Sequence, residues 1–231
     1  MLEVRDLSLA YGQSRILHGV GMTAAPGRVT CLMGNNGMGK TSLLKAIAGR
    51  HPYTGGTITL DGIELKHLGA AKAARAGIAY VPQGREVFPM MTVAENLETG
   101  LAILPKGARR IEDDIFELFP VLADMRARRG GDLSGGQQQQ LAIARALVTK
   151  PRVLLLDEPT EGIQPNIIDL IGDVILKLRD AGEICIVLVE QNFDFARRLA
   201  DHYVTLRRGM VEVDAPAEEM PAERLLEALS L

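Results

Sequence analysis

The sequence has no tryptophan, only two cysteines, and an aromatic content of 4% in 231 residues. Cys31 and Cys185 each sit in an apolar run, so a disulfide-stapled scaffold is excluded and two buried, reduced thiols are expected. Proline, at 11 residues, and glycine, at 24, are too few for a collagen-like or low-complexity chain. Long apolar runs are missing as well. Residues 184–189 form one of the longest, far short of the roughly 20 residues of a membrane span. The first dozen residues carry acids and no apolar stretch of the kind a secretory signal needs. An excess of positive charge is also lacking, since 26 Lys and Arg face 29 Asp and Glu. That balance argues against nucleic acid as a partner. The four histidines, His18, His51, His67 and His202, have no metal-ligand spacing. A soluble, cytosolic α/β chain is the expectation.

One further absence is local. Residues 7–60 contain no Asp or Glu, yet Arg15, Arg28, Lys40, Lys45 and Arg50 fall among them. A purely positive stretch inside an acidic chain points to an anion site.

The apolar pattern predicts strands over residues 4–9, 16–24, 28–33, 57–60 and 78–81, with a helix over 41–48. Residues 92–148 read as helical, with Ile111, Ile115 and Leu118 or Phe119 on one face. Strands follow at 153–156, 184–189, 203–206 and 211–213, the first two apolar throughout, as parallel strands covered on both faces are. Pro165 opens a helix with an apolar stripe, closed by Gly182, and residues 193–200 form another. Strands and helices that alternate at both ends imply a mostly parallel sheet. The expected division is a core of residues 1–86 and 151–231, with an inserted helical subdomain at 87–150.

Gly34-Asn35-Asn36-Gly37-Met38-Gly39-Lys40-Thr41 fits G-x-x-x-x-G-K-[ST]. Glycines let backbone N–H groups turn inward around phosphates, Lys40 reaches the β/γ-phosphates, and the Thr41 hydroxyl suits Mg²⁺. The phosphates also meet the positive end of the helix that starts there. Gly19-Val20-Gly21-Met22-Thr23-Ala24 matches a dinucleotide fingerprint but runs into Pro26-Gly27 instead of a helix, and is rejected. Residues 153–156 then deliver Asp157 and Glu158 to the C-terminal edge of a buried strand, where ligands of open α/β sheets bind. Asp157 suits a Mg²⁺-holding acid, and Glu158 is placed to polarise a water for attack on the γ-phosphorus.

Leu133-Ser134-Gly135-Gly136-Gln137 completes the set. Ser134 is a good N-cap, and the amides of Gly135 and Gly136 open a helix as an anion site. With three motifs in this order and spacing, the chain closely resembles the nucleotide-binding subunits of ABC transporters over nearly its full length. The resemblance implies a P-loop NTPase core of the ABC type, with N-terminal antiparallel strands and an inserted α-helical subdomain. It implies ATP and Mg²⁺ as ligands, with Gly34 to Thr41 and Ser42 on the phosphates and Thr41, Gln83 and Asp157 on the metal. It further implies that two ATPase subunits, identical or paralogous, pair head to tail, so that Ser134, Gly135, Gly136 and Gln137 close on the ATP of the other subunit. Tyr11 resembles the aromatic that stacks on adenine, and Gln83 the glutamine that contacts Mg²⁺ and water.

Partners implied are transmembrane permease subunits, which family members dock on the helical subdomain, and indirectly an extracytoplasmic solute-binding protein. The location implied is peripheral, on the cytoplasmic face of the membrane. Two positions depart from the family pattern. Gln191 replaces a γ-phosphate-contacting histidine and cannot become a cation. Glu161-Gly162-Ile163-Gln164 stands where the family usually ends in an Asp that communicates across the dimer. Both departures resemble the ATPases of urea-type and branched-chain amino acid importers, the urea type most. Urea uptake is the resulting expectation. Branched-chain amino acids or short amides are the alternative, and a regulatory subunit with weak hydrolysis is the alternative from a different class.

Overall fold

The computed structural model describes residues 1–66 and 68–230. His67, one of the four histidines, lies outside the described residues. The chain opens with β1 (Leu2–Tyr11) and β2 (Ser14–Ala24), then β3 (Arg28–Met33) and α1 (Lys40–Ile47). β4 (Gly55–Leu60), β5 (Ile63–Glu64), α2 (Ala70–Arg75) and β6 (Ile78–Val81) follow. Four helices come next: α3 (Val93–Leu101), α4 (Asp113–Leu118), α5 (Pro120–Asp124) and α6 (Gly135–Leu147). The chain then alternates through β7 (Val153–Asp157), α7 (Pro165–Asp180), β8 (Cys185–Val189), α8 (Phe193–Leu199) and β9 (His202–Arg207). It finishes with β10 (Met210–Pro216) and α9 (Ala222–Ser230).

Two sheets result. The first is antiparallel, in the order β2-β1-β4-β5, and the second has six strands in the order β10-β9-β3-β8-β7-β6. Within the second, β9, β3, β8, β7 and β6 are mutually parallel and only β10 runs against its neighbour. Every residue of β7 and β8 is buried. Alternation along these strands sorts their side chains into two cores. Val29, Cys31, Met33, Leu154, Leu156, Ile186 and Leu188 face one, shared with α3, α6 and α7. Leu32, Val153, Leu155, Cys185, Val187 and Val189 face the other, shared with α1 and the antiparallel sheet. Both cysteines are free and buried.

The expected strands are all present. The stretch expected to be helical is interrupted: residues 102–112 and 125–134 lie outside the α-helices, so Ile111 precedes α4 instead of sharing a helix face with Ile115, and a further break falls at residue 119. Pro120 cannot donate a backbone N–H and pushes Phe119 out of the helical region (φ −131, ψ 72), so α4 ends at Leu118 and α5 starts anew. Phe119, fully buried, is the apolar anchor there, and Leu118 is only half-buried. Burial of a phenylalanine contributes about 1.5–3 kcal/mol. Among the described residues no helix is long and apolar enough to cross a membrane.

Candidate functional site

The loop between β3 and α1 is shaped by glycines in backbone conformations that other residues rarely adopt. Gly34 has φ +143, and a Cβ there would lie 2.4 Å from the Leu206 carbonyl oxygen. Gly39 has φ +100, and its Cβ would lie 2.6 Å from Leu17 Cδ2. At the loop's end Lys40 is only 4% exposed. Its Nζ folds back to donate to the carbonyls of Gly34 at 2.7 Å and Asn35 at 3.0 Å. Burial holds this ammonium below the ordinary lysine value, an effect that the charges of Glu158 and Asp157 partly offset. No acid and no side-chain cap occupies the first turn of α1, so its amides and Lys40 together favour an arriving anion. Met38 ties the loop to the β9–β10 turn, its Sδ accepting from Arg208 N at 3.1 Å.

The acids arrive from β7. Asp157 is 1% exposed, and its Oδ1 accepts from Thr41 Oγ1 at 3.1 Å while Oδ2 accepts from Tyr80 OH at 2.9 Å. Burial raises its pKa, and the two hydrogen bonds oppose that rise. Glu158 turns away at once, with a left-handed backbone (φ 49) and its N–H donating to Val189 O at 3.0 Å. Its carboxylate is held by two amides, Gln191 Nε2 on Oε1 at 2.6 Å and Gln83 Nε2 on Oε2 at 3.2 Å. Gln83 spends its second N–H on Glu161 Oε2 at 2.9 Å. Carboxylates only accept, so both amide hydrogens are committed and the amide oxygen of Gln83 is left for other partners. Behind them Glu190, 2% exposed, accepts from Thr160 Oγ1 at 2.5 Å, Gln191 N at 2.8 Å and Asn192 N at 2.9 Å. Burial raises its pKa against the pull of these bonds.

Asn36, Gly37, Gly39, Lys40, Thr41, Ser42, Gln83, Glu158, Glu161 and Gln191 thus line one cleft of about 440 Å³. Ser134, Gly135, Gly136 and Gln137 line another, of about 580 Å³, against Gly162, Gln164 and α7. No residue lines both. In the second cleft Ser134 caps the 13-residue helix α6, accepting from Gln137 N at 3.3 Å while Gln137 Oε1 accepts from Ser134 N at 2.9 Å. Residues 17–161 match the pattern of the ABC transporter family.

The chain belongs to the ABC transporter family.

Similar proteins agree with this along its whole length. The ABC ATPase is 41% identical over 212 residues to the high-affinity branched-chain amino acid transport ATP-binding protein BraG of Pseudomonas aeruginosa, covering 91% of each chain. It is 33% identical over 238 residues to BraF, the like-named protein of the same organism, covering 95% of this chain and 93% of that one. Among solved structures, a nucleotide-free ATP-binding cassette of an ABC transporter superposes with a TM-score of 0.85 at 26% identity, covering 100% and 95% of the two chains. A dimeric cassette in a post-hydrolysis state, bound to ADP and Pi, gives 0.84 at 26% identity, covering 94% and 99%. This ABC ATPase binds and hydrolyses ATP.

The structure brings most of the expected site residues to the two clefts. Gly34, Asn35 and Met38 belong to the phosphate loop without lining its cleft, and Asp157 reaches the cleft through Thr41. Tyr11 lines neither; it is 45% exposed, its ring 4.1 Å from that of His51. Three groups in or behind the ABC ATPase's first cleft were given no role in the sequence: Glu161, which lines it, and Tyr80 and Glu190, which bond to residues of the site. Glu161 stands three residues after Glu158, a spacing that signals a turn bringing two acids together. Tyr80 is joined to the site only by a tertiary contact, whereas Glu190 directly precedes Gln191 and accepts from its N–H.

Proposed function

We propose that this ABC ATPase powers a membrane importer of branched-chain amino acids. The observation that carries the reading is the likeness to BraG over 91% of each chain. That likeness supports the amino acid alternative over urea, which the two departures from the family pattern favoured. The family and its hydrolysing cassettes support an active motor over a regulatory subunit.

The site residues take these roles in the proposal. The N–H groups of the phosphate loop and Lys40 bind the triphosphate, which restores a counter-charge to a buried ammonium. The hydroxyl of Thr41, the Asp157 carboxylate and the Gln83 amide oxygen are hard donors that fit Mg²⁺. When bound, Mg²⁺ would neutralise charge on the β- and γ-phosphate oxygens. Each oxygen of Glu158 accepts one amide hydrogen and keeps a lone pair, so the carboxylate can take the proton of the attacking water while held in one orientation. Gln191 uses one N–H on Glu158 and has a second for a γ-phosphate oxygen. Tyr11 receives the adenine.

In the same proposal a second ATPase, a copy or a paralogue, pairs head to tail, and its Ser134, Gly135, Gly136 and Gln137 complete this cleft. The helical segment 87–150 docks the permease at the cytoplasmic face of the membrane, and the core is 1–86 with 151–231. An extracytoplasmic binding protein selects the solute. The test is uptake of labelled leucine, isoleucine, valine, urea and a short amide in a strain lacking this chain. Loss confined to the amino acids is expected; loss of urea uptake alone would overturn the assignment.

A further inference from the structure

We propose that Tyr80 is a positioning residue for the metal site, holding the Asp157 oxygen that the cation does not use. The inference rests on the reading of Thr41 and Asp157 as Mg²⁺ ligands and extends it to a residue on another strand. Tyr80 pairs with Leu155 across β6 and β7, so Asp157 lies two residues further along the same sheet face. A tyrosine is long enough to cross that diagonal. Its hydroxyl donates to Oδ2 at 2.9 Å, opposite the Oδ1 that meets Thr41.

Burial makes this bond consequential. With Asp157 1% exposed, no bulk water replaces a lost donor, and a carboxylate oxygen without one is costly. A cation taken by Thr41 and Oδ1 would leave Oδ2 stranded, or would draw the carboxylate round, were the phenol not there. The phenol is itself fixed. The Arg50 guanidinium lies 5.1 Å above the ring centroid and pairs with Glu86 at 3.0 Å. The hydroxyl therefore reaches Asp157 from a ring with a cation over its face. Partners of metal-binding groups that act in this way typically change metal affinity by about tenfold or more when removed.

Tyr80→Phe removes one hydroxyl and keeps the ring. Binding of a fluorescent ATP analogue to the full chain in EDTA should match wild type. Titration with MgCl₂ at fixed analogue should then show half-saturation at about tenfold higher Mg²⁺. Asp157→Asn is the reference and should shift the same titration. A Tyr80→Phe titration identical to wild type would overturn the proposal. So would loss of binding in EDTA, because it would mark a general structural role. If Asp157→Asn leaves the Mg²⁺ titration unmoved, the metal-site reading itself fails, a result separable from the first. Tyr80→Met supplies the same discrimination should the phenylalanine ring disturb packing.

Discussion

A single backbone torsion separates the two neighbouring acids of the first cleft. Asp157 ends a strand, and Glu158, at φ 49, occupies a left-handed conformation that costs a non-glycine residue about 1–3 kcal/mol. The turn sends one carboxylate to Thr41 and the other to Gln83 and Gln191. Glu158→Gln should keep ATP affinity and lower turnover by about 100-fold or more, measured as phosphate release beside nucleotide binding. Full turnover in that variant would remove Glu158 from the role of base. Glu190 gives a pH prediction. Its pKa is raised by burial, so the folded state holds the proton more tightly than the unfolded one. The stability this confers is fully present below the ordinary glutamate value of 4.5 and is lost as pH rises through the higher native value. Glu190→Gln escapes that loss. The melting temperature of the variant relative to wild type should therefore climb between pH 4 and 7, and a constant difference would contradict the linkage. At this scale the sequence was legible where chemistry is local. The phosphate loop and the Asp157–Glu158 pair are short contiguous patterns. Tyr80 was not, because its tie to Asp157 depends on the register of β6 against β7, strands far apart in the chain.

Among the elements, helix termini do the positioning. α6 is legible from Ser134 and Gln137 because a capping box is a four-residue signal. α3 begins with the same device, Thr92 and Glu95, and then buries Asn96 completely. Asn96 accepts from Phe88 N at 2.8 Å and donates to the carbonyls of Phe88, Met91 and Thr92, which shapes the loop that leads out of β6. Asn96→Leu strands the Phe88 N–H and should cost about 2 kcal/mol, read from the denaturant midpoint. An unchanged midpoint would show that the Thr92–Arg129 bridge holds the loop unaided. The short helices α2 and α9 were not anticipated. α2 is four alanines with Lys72 and Arg75, and only Ala73 is buried, so no apolar stripe announces it. In α9, Leu225 is fully buried.

For the whole molecule, the separation of the two clefts is the governing fact. A chain that presents a phosphate loop on one surface and a capped helix on another can pair about a two-fold axis, an isologous contact in which each loop meets the partner's helix. In the head-to-tail pairing proposed above, Lys40→Ala and Ser134→Arg disable opposite halves of a shared site. Each variant alone should hydrolyse no ATP. Mixed, they should regain activity, because the pair then contains one site with an intact Lys40 and an intact Ser134. No recovery on mixing would sink the shared-site arrangement. The parallel sheet was legible from the alternation of apolar strands with helices. The packing of Tyr11 on His51 was not, since nothing in either local sequence announces the other.

The sorting of β7 between two cores has a consequence beyond packing. Val153 and Leu155 face the side of α1, Leu154 and Leu156 the side of α6 and α7, and Asp157 continues the odd-numbered set toward Thr41. The aim of the Asp157 carboxylate, proposed above to hold the metal, is thus a matter of phase, counted in single residues from the start of a buried strand. Insertion of one residue between Val153 and Asp157 would leave the composition almost untouched. It would nevertheless point the acid into the helical core and turn a leucine toward the phosphates. In this strand the hydrophobic pattern that folds the protein and the address of its chemistry are written in the same frame.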